Sequence, residues 1–235
     1  MSNIIIISDL HLASDVCRSE KIYSFLDSLE TEHLILNGDV MDNLNFHRLT
    51  KSHWKILKKL RSMSKSMKIT WIKGNHDTDK AEVIANLIGI DFIDEYVMNI
   101  KGKRTLIIHG DKFDVFMKKR PLTSKIADYI YKLIQWYDKW VNNDFYYSGL
   151  VKSKSKVLIR CGRVIENAIT YALHMGYDVI ICGHTHLPDS LTNSSGSVQY
   201  YNSGSWTEKK CTFISIREDL IEVKEYHEEK NSKRS

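Results

Sequence analysis

The 235-residue chain reads as an α/β protein, a sandwich of two sheets flanked by helices (αββα) with a helical insert ahead of its last motif. Three observations predict this. Short aliphatic runs recur at residues 4–7, 34–36, 69–72, 106–108 and 179–182, and each stops abruptly at polar residues. Stretches with apolar residues three and four apart lie between them, as in amphipathic helices resting on a sheet. Beyond the last run, three more β-rich segments follow one another as antiparallel strands do.

Residues 4–7 are four consecutive isoleucines, the composition of a strand covered on both faces and so central in its sheet. Ile22, Phe25, Leu26 and Leu29 then predict a helix over 18–30. After the strand at 34–36, Leu49, His53, Ile56, Leu57, Leu60 and Met63 predict a second helix over about 47–66, with its lysines toward solvent. The strand at 69–72 leads to a short helix at 79–88 that Gly89 stops. Residues 96–100 and 104–108 form a hairpin around the turn at 101–103. An insert over about 112–163 carries an apolar stripe from Ile126 through Tyr129, Ile130, Leu133, Ile134, Tyr137 and Trp140 to Val141, edged with Lys and Arg. A helix at about 156–175 returns the chain to the strand at 179–182, and strands at 198–201, 211–216 and 220–226 complete the sheets.

No linker, repeat or low-complexity tract divides the chain, so residues 1–227 are expected as one domain and 228–235 as a frayed polar tail. The isoleucine run is too short for a signal-peptide core or a membrane span, which makes an intracellular protein the expectation. Cys17, Cys161, Cys182 and Cys211 lack Cys-x-x-Cys spacing and are expected as reduced thiols, with Cys182 part of a buried strand rather than a metal ligand. The net charge of +5 is unevenly placed: residues 112–163 hold nine Lys and three Arg against four Asp, leaving the remainder acidic. Such a patch suits an anionic partner such as phosphate, a lipid head-group surface or nucleic acid, against the plainer reading of a solvated helix face.

The residues that end the runs carry the chemistry. They are Asp9 and His11; Asn37-Gly38-Asp39 with Asp42; Gly74-Asn75-His76-Asp77; His109-Gly110-Asp111; and Gly183-His184-Thr185-His186. Open α/β sheets place their sites at the carboxyl ends of strands. If the backbone stays extended over 9–11, Asp9 and His11 point to one side and supply half of a metal site. Any one of these pieces alone is ordinarily a turn or a cap, but five in order are not. Asp9, His11, Asp39, Asn75, His109, His184 and His186 offer only nitrogen and oxygen, which suits manganese, iron or zinc and argues against a structural zinc site.

In this order, as D-x-H, G-D-x-x-D, G-N-H-D, H and G-H-x-H, the residues resemble the calcineurin-like metallophosphoesterases. The resemblance implies two divalent ions, with manganese favoured and iron or zinc as alternatives. Asp9, His11, Asp39 and His186 would hold one, Asp39, Asn75, His109 and His184 the other, and Asp39 would bridge them across roughly 3.5–4 Å. It also implies that His76 is a catalytic group facing the phosphate, stabilising the transition state or protonating the leaving oxygen. Asp42 and Asp77 would orient histidines and waters.

Ser8 to Leu12, His109 to Asp111, Gly183 to Pro188, Tyr201 to Trp206 and the helical insert resemble, more closely, the UDP-2,3-diacylglucosamine diphosphatases and their near relatives. That implies hydrolysis of a pyrophosphate in a lipid-linked nucleotide sugar on the way to lipid A. Lys118, Lys119, Arg120, Asn202 and Trp206 become candidate substrate contacts. The location is then cytoplasmic, with peripheral contact to the inner membrane face through the insert, whose stripe otherwise packs on the body of the protein. His76 departs from the Arg of the well-known enzymes and places the chain nearer a sister group. The alternatives are a phosphodiesterase or phosphatase for a soluble ester or nucleic acid, with Trp136, Trp140, Phe145 and Tyr146 able to stack bases, and a metal-free protein-binding scaffold, which the intact ligand set opposes.

Overall fold

The computed structural model describes residues 3–43, 45–114 and 155–228. Its elements run β1 (Ile4–Ile7), α1 (Ser19–Asp27), β2 (His33–Asn37), α2 (Lys51–Met63), β3 (Lys68–Ile72), α3 (Asp79–Leu87), β4 (Asp91–Ile93), β5 (Tyr96–Ile100), β6 (Lys103–Ile107), α4 (Ser155–Met175), β7 (Val179–Cys182), β8 (Asp189–Thr192), β9 (Gln199–Asn202), β10 (Thr212–Arg217) and β11 (Leu220–Glu225). One sheet has the order β11-β10-β1-β2-β3-β4, the other β5-β6-β7-β9-β8. Ile4–Ile7 pair in parallel with His33–Leu36 on one side, while Ile4–Ile6 pair antiparallel with Ile216–Ile214 on the other. The isoleucine strand is therefore central, as its composition requires.

Alternation along β1 sets the layers. Ile5 and Ile7 pack with Ile22, Phe25 and Leu26 of α1 and with Ile56, Leu57 and Leu60 of α2. Ile4 and Ile6 face the second sheet through Ile107, Val179 and Ile181. The outer face of that sheet, with Leu106, Ile180 and Tyr200, is covered by Val164, Ala168 and Ala172 of α4. The result is an αββα sandwich, held by apolar side chains that contribute about 1.5–3 kcal/mol each on full burial.

The structure corrects the expected second helix. Phe46–Arg48 is a separate 3-10 turn, and Thr50, with extended backbone, starts α2 by a capping box in which its side chain accepts from the His53 N–H and the His53 ring from the Thr50 N–H. His53 is thus buried as a cap partner as well as a member of the stripe. Two strands were not expected, β4 and β8. Both are short and at sheet edges, where little hydrophobic signal is needed: β4 offers only Phe92 and Ile93, and β8 is mostly polar.

All four cysteines are buried and outside any disulfide, and burial pushes the Cys182 thiol well above its usual range. Among the described residues no helix is long and apolar enough to cross a membrane. Of the expected insert, the stripe from Ile126 to Val141 and Lys118, Lys119 and Arg120 lie outside the described residues.

Candidate metal centre

The loops after β1 and β2 run on side by side past the ends of their strands. The Asp9 N–H donates to the Gly38 carbonyl at 3.0 Å, His11 N–H to Asp39 at 3.0 Å and Leu12 N–H to Val40 at 2.8 Å; Asp42 N–H returns to Leu12 at 2.8 Å. The backbone there is not extended, contrary to the simplest expectation for Asp9 and His11. Both residues are left-handed (φ 56° and 48°), as are Asp39 (52°), His184 (65°) and His186 (58°). Left-handed backbone costs an L-residue roughly 1–2 kcal/mol. Here neighbouring hydrogen bonds hold it, and the bends curl the loops over the strand ends so that their side chains meet.

Gly38 makes one of these approaches feasible. Its φ is 83°, and a Cβ there would overlap the His109 imidazole, whose Nδ1 lies 2.9 Å from the Asn37 carbonyl. At Gly183 a Cβ would fall 2.6 Å from Ser8 Oγ and 2.9 Å from Asp9 Oδ2, so only glycine lets the loop after β7 close on the loop after β1.

Among the described residues, three groups of side chains come close enough to hold a cation: Asp9, His11 and His186; Asp39, His109 and His184; and His11, Asp39 and His76. Asp39, a member of the second group, also approaches the first, its Oδ2 3.2 Å from His109 Nε2 and 3.9 Å from His11 Nε2. Its other oxygen accepts the His76 backbone N–H at 2.8 Å. Asp9 Oδ1 is 3.0 Å from His186 Nε2 and 3.9 Å from His11 Nε2, while Oδ2 accepts the His184 N–H at 3.1 Å. The 3.0 Å and 3.2 Å approaches lack hydrogen-bond alignment, so they count as proximity of charge: Asp9 Oδ1, His11 Nε2 and His109 Nε2 are buried with no hydrogen-bond partner.

Such orphaned atoms cost about 1–3 kcal/mol each in a protein interior. Two of them lie with His186 and the third with Asp39 and His184, an arrangement that fits divalent cations. The tautomers agree. A carbonyl only accepts, so His109 Nδ1 carries the proton and its Nε2 keeps the lone pair; His11 is held in the same sense by Asp42 Oδ1, 3.2 Å from Nδ1.

Burial opposes ionisation of both acids, but neighbouring imidazoles prevail. His186 above all lowers Asp9 to about 2, and His109 holds Asp39 well below the carboxylate range. Burial also opposes charge on His109, yet Asp39 raises its pKa well above the usual value. Without a cation the His109 proton balances Asp39; a cation bound there would take that proton's place and leave the imidazole neutral, its lone pair inward.

The calcineurin-like phosphoesterase family matches residues 2–188. The chain belongs to that family. Among curated proteins, a UDP-2,3-diacylglucosamine hydrolase from Aliivibrio fischeri (strain MJ11) is 27% identical over 245 aligned positions, covering 91% of this chain and 97% of that protein. Its counterpart from Shewanella baltica (strain OS195) is 25% identical, covering 86% and 89%. Among solved structures, the phosphoesterase Yfce from E. coli superimposes with a TM-score of 0.51 at 15% identity, covering 93% of this chain and 90% of that one, a likeness of fold. Members of the calcineurin-like family use divalent metals, and the Asp and His groups of this chain could bind them.

The other expected residues of this phosphoesterase take varied places. Asn75 is exposed on the loop after β3. His76 is partly exposed at the rim, its Nδ1 2.9 Å from the Asp42 carbonyl and its ring edge-on to His11 at 4.9 Å. Asp77 does not touch a histidine. It accepts from the Val40, Met41 and Gly74 N–H groups at 3.4, 3.1 and 3.1 Å and from Trp71 Nε1 at 3.0 Å, pinning the loops after β2 and β3 together. Burial, reinforced by Asp39, raises its pKa to about 6.

Asn202 and Trp206, expected to meet substrate, are instead fully buried. Asn202 Nδ2 donates to the Gly183 carbonyl at 2.6 Å and lies 3.2 Å from Thr185 Oγ1, while its oxygen accepts the Gly204 N–H at 2.9 Å. Trp206 packs on Phe25, and its backbone N–H donates to the Asp9 carbonyl at 3.2 Å. The stretch 202–206 is the strap that fastens the His184–His186 loop to Asp9.

Sequence reasoning missed Asp114 and Arg160. Asp114, 2% exposed, places Oδ2 3.3 Å from His184 Nε2 and accepts from Arg160 Nε at 2.8 Å and from Nη2. A lone carboxylate in the Phe113-Asp114-Val115-Phe116 run was the signal, since a charge among apolar neighbours needs a partner.

Proposed function

We propose that this calcineurin-like phosphoesterase holds two divalent cations, manganese favoured over iron or zinc, and hydrolyses the pyrophosphate of UDP-2,3-diacylglucosamine or a close acylated nucleotide sugar. The position of Asp39 carries the two-cation reading: one buried carboxylate lies near both His11 and His109, whose Nε2 atoms are buried without a hydrogen-bond partner. Asp9, His11, Asp39 and His186 would hold one cation, and Asp39, Asn75, His109 and His184 the other. Such a pair supplies Lewis-acid chemistry, bringing the pKa of water near neutrality and offsetting charge on a phosphoryl group.

The chain's own groups then supply orientation and proton control. With Nδ1 committed to the Asp42 carbonyl, His76 has Nε2 left to donate to a phosphoryl oxygen or protonate the leaving oxygen. The substrate class is supported by the names of two relatives that align over most of both chains. In this proposal the protein works in the cytoplasm, and Lys118, Lys119 and Arg120 bring the insert to the anionic inner face of the membrane, where acyl chains reside.

The test is an assay of the purified protein with Mn²⁺ against UDP-2,3-diacylglucosamine and an aryl phosphodiester, with and without EDTA. Preferential, EDTA-sensitive hydrolysis of the acylated sugar is expected. Turnover of the diester alone would replace the substrate by a soluble ester. Turnover of neither with any divalent metal would overturn the proposal.

A further inference from the structure

His184 is held in the opposite sense from the other buried imidazoles of the centre. His11 and His109 have Nδ1 engaged by Asp42 and by the Asn37 carbonyl, which leaves Nε2 inward. In His184 the engaged nitrogen is Nε2, 3.3 Å from Asp114 Oδ2. A carboxylate paired with arginine is an acceptor only, so the proton sits on Nε2 and the lone pair on Nδ1. Two donors of the Arg160 guanidinium converge on the same Oδ2 and hold it in place.

The backbone is fixed as well. His184 N–H is bonded to Asp9 Oδ2. The turn Asp111–Phe113 is tied to α4 a second time by Asn167 Nδ2, which donates to the Phe113 carbonyl at 2.9 Å. Helix α4, the element that ends the insert in sequence, thus reaches His184 through one buried carboxylate.

We infer that Asp114, braced by Arg160, is a positioning residue that selects the His184 tautomer and thereby sets the affinity of one of the two cation positions. The inference rests on the two-cation reading above. Partners of this kind change metal affinity by about 10–100-fold. Removing the carboxylate frees the imidazole to rotate or to place its proton on Nδ1, where it blocks the cation. Asn keeps an acceptor oxygen but also brings an amide donor, so Asp114→Asn falls between wild type and Asp114→Ala.

Equilibrium dialysis against Mn²⁺ with metal analysis tests this on wild type, Asp114→Ala, Asp114→Asn and Arg160→Met. Expected are two ions on wild type, and in Asp114→Ala one ion at native affinity with the other weakened about 10–100-fold. Arg160→Met should weaken the same ion less, because Asp114 still faces His184. Two ions at native affinity in both Asp114 variants would overturn the inference and leave the two-cation reading standing, and equal weakening of both ions would assign Asp114 a general structural role instead. A wild type that binds fewer than two ions would overturn both. Should Asp114→Ala fail to fold, Asp114→Asn, which preserves shape, carries the same comparison.

Discussion

The Nδ1 of His76 is spent on a backbone carbonyl, so whatever this side chain contributes comes from Nε2. A group that acts on the transition state lowers turnover without emptying the metal centre. His76→Ala is therefore expected to keep both ions by metal analysis and to lose roughly 100- to 10,000-fold in kcat. Because His76 also lies within reach of a cation shared with His11 and Asp39, loss of an ion in that variant would make it a ligand instead. The same measurement addresses Asp39. Asp39→Asn should weaken both ions, whereas Asn75→Ala should weaken mainly one. The candidate ligands were legible because five apolar runs in order each stop abruptly at Asp, Asn or His. Their left-handed backbone was not, since Asp and His are compatible with many conformations and the hydrogen bonds that force the bend come from another loop. Asp114 escaped because its partners lie 46 and 70 residues away.

Among the elements, the fully buried apolar strands were recovered and the partly exposed edge strands β4 and β8 were not. β1, β3 and β7 are dictated by burial on both faces, while Asp91–Ile93 and Asp189–Thr192 become strands because a neighbour already offers its edge. The strap at 202–206 illustrates the same dependence. Its sequence matched a substrate-facing motif, yet its polar groups are turned inward: Ser203 Oγ to Ser8 Oγ at 2.7 Å, Asn202 to Gly183, and the Trp206 N–H to Asp9. Asn202→Ala would leave the buried Gly204 N–H without its acceptor, a cost of about 1–3 kcal/mol. At roughly 2–4 °C of Tm per kcal/mol for a chain of this size, calorimetry should show a clear drop. Because the strap fastens the His184–His186 loop, metal affinity should fall with it. An unchanged Tm would mean that the strap carries little of the fold.

At the scale of the whole molecule, the centre sits where two sheets abut, with Asp9, His11, Asp39 and His76 from one and His109, His184 and His186 from the other. The division of the eleven strands among the described residues into six and five was not legible, because side-chain alternation fixes which face is buried but not which sheet covers it. His33 lies at this junction. It is on β2, its Nε2 is 2.9 Å from Thr70 Oγ1, and its ring is edge-on to Tyr96 of the other sheet. Burial, aided by Lys68, lowers its pKa to about 4 from a usual 6.5. Between those values the unfolded chain takes up a proton that the native protein refuses, so the stability due to His33 is present above pH 6.5 and lost as pH falls to 4. Asp77, raised to about 6, acts oppositely: its contribution is full below its usual 3.8 and is lost as pH rises through 6. The two slopes offset in the wild type, which makes a simple pH profile uninformative and a paired one decisive. The His33 displacement corresponds to at most about 3 kcal/mol, and screening by solvent at the strand end reduces it to about 1–2 kcal/mol. Urea unfolding of wild type and His33→Gln at pH 7 and pH 4 cancels the shared contribution of Asp77. The stability of wild type relative to the variant should fall by about 1–2 kcal/mol on going from pH 7 to pH 4. A difference that stays constant would mean that His33 is protonated as readily in the folded protein as in the unfolded chain.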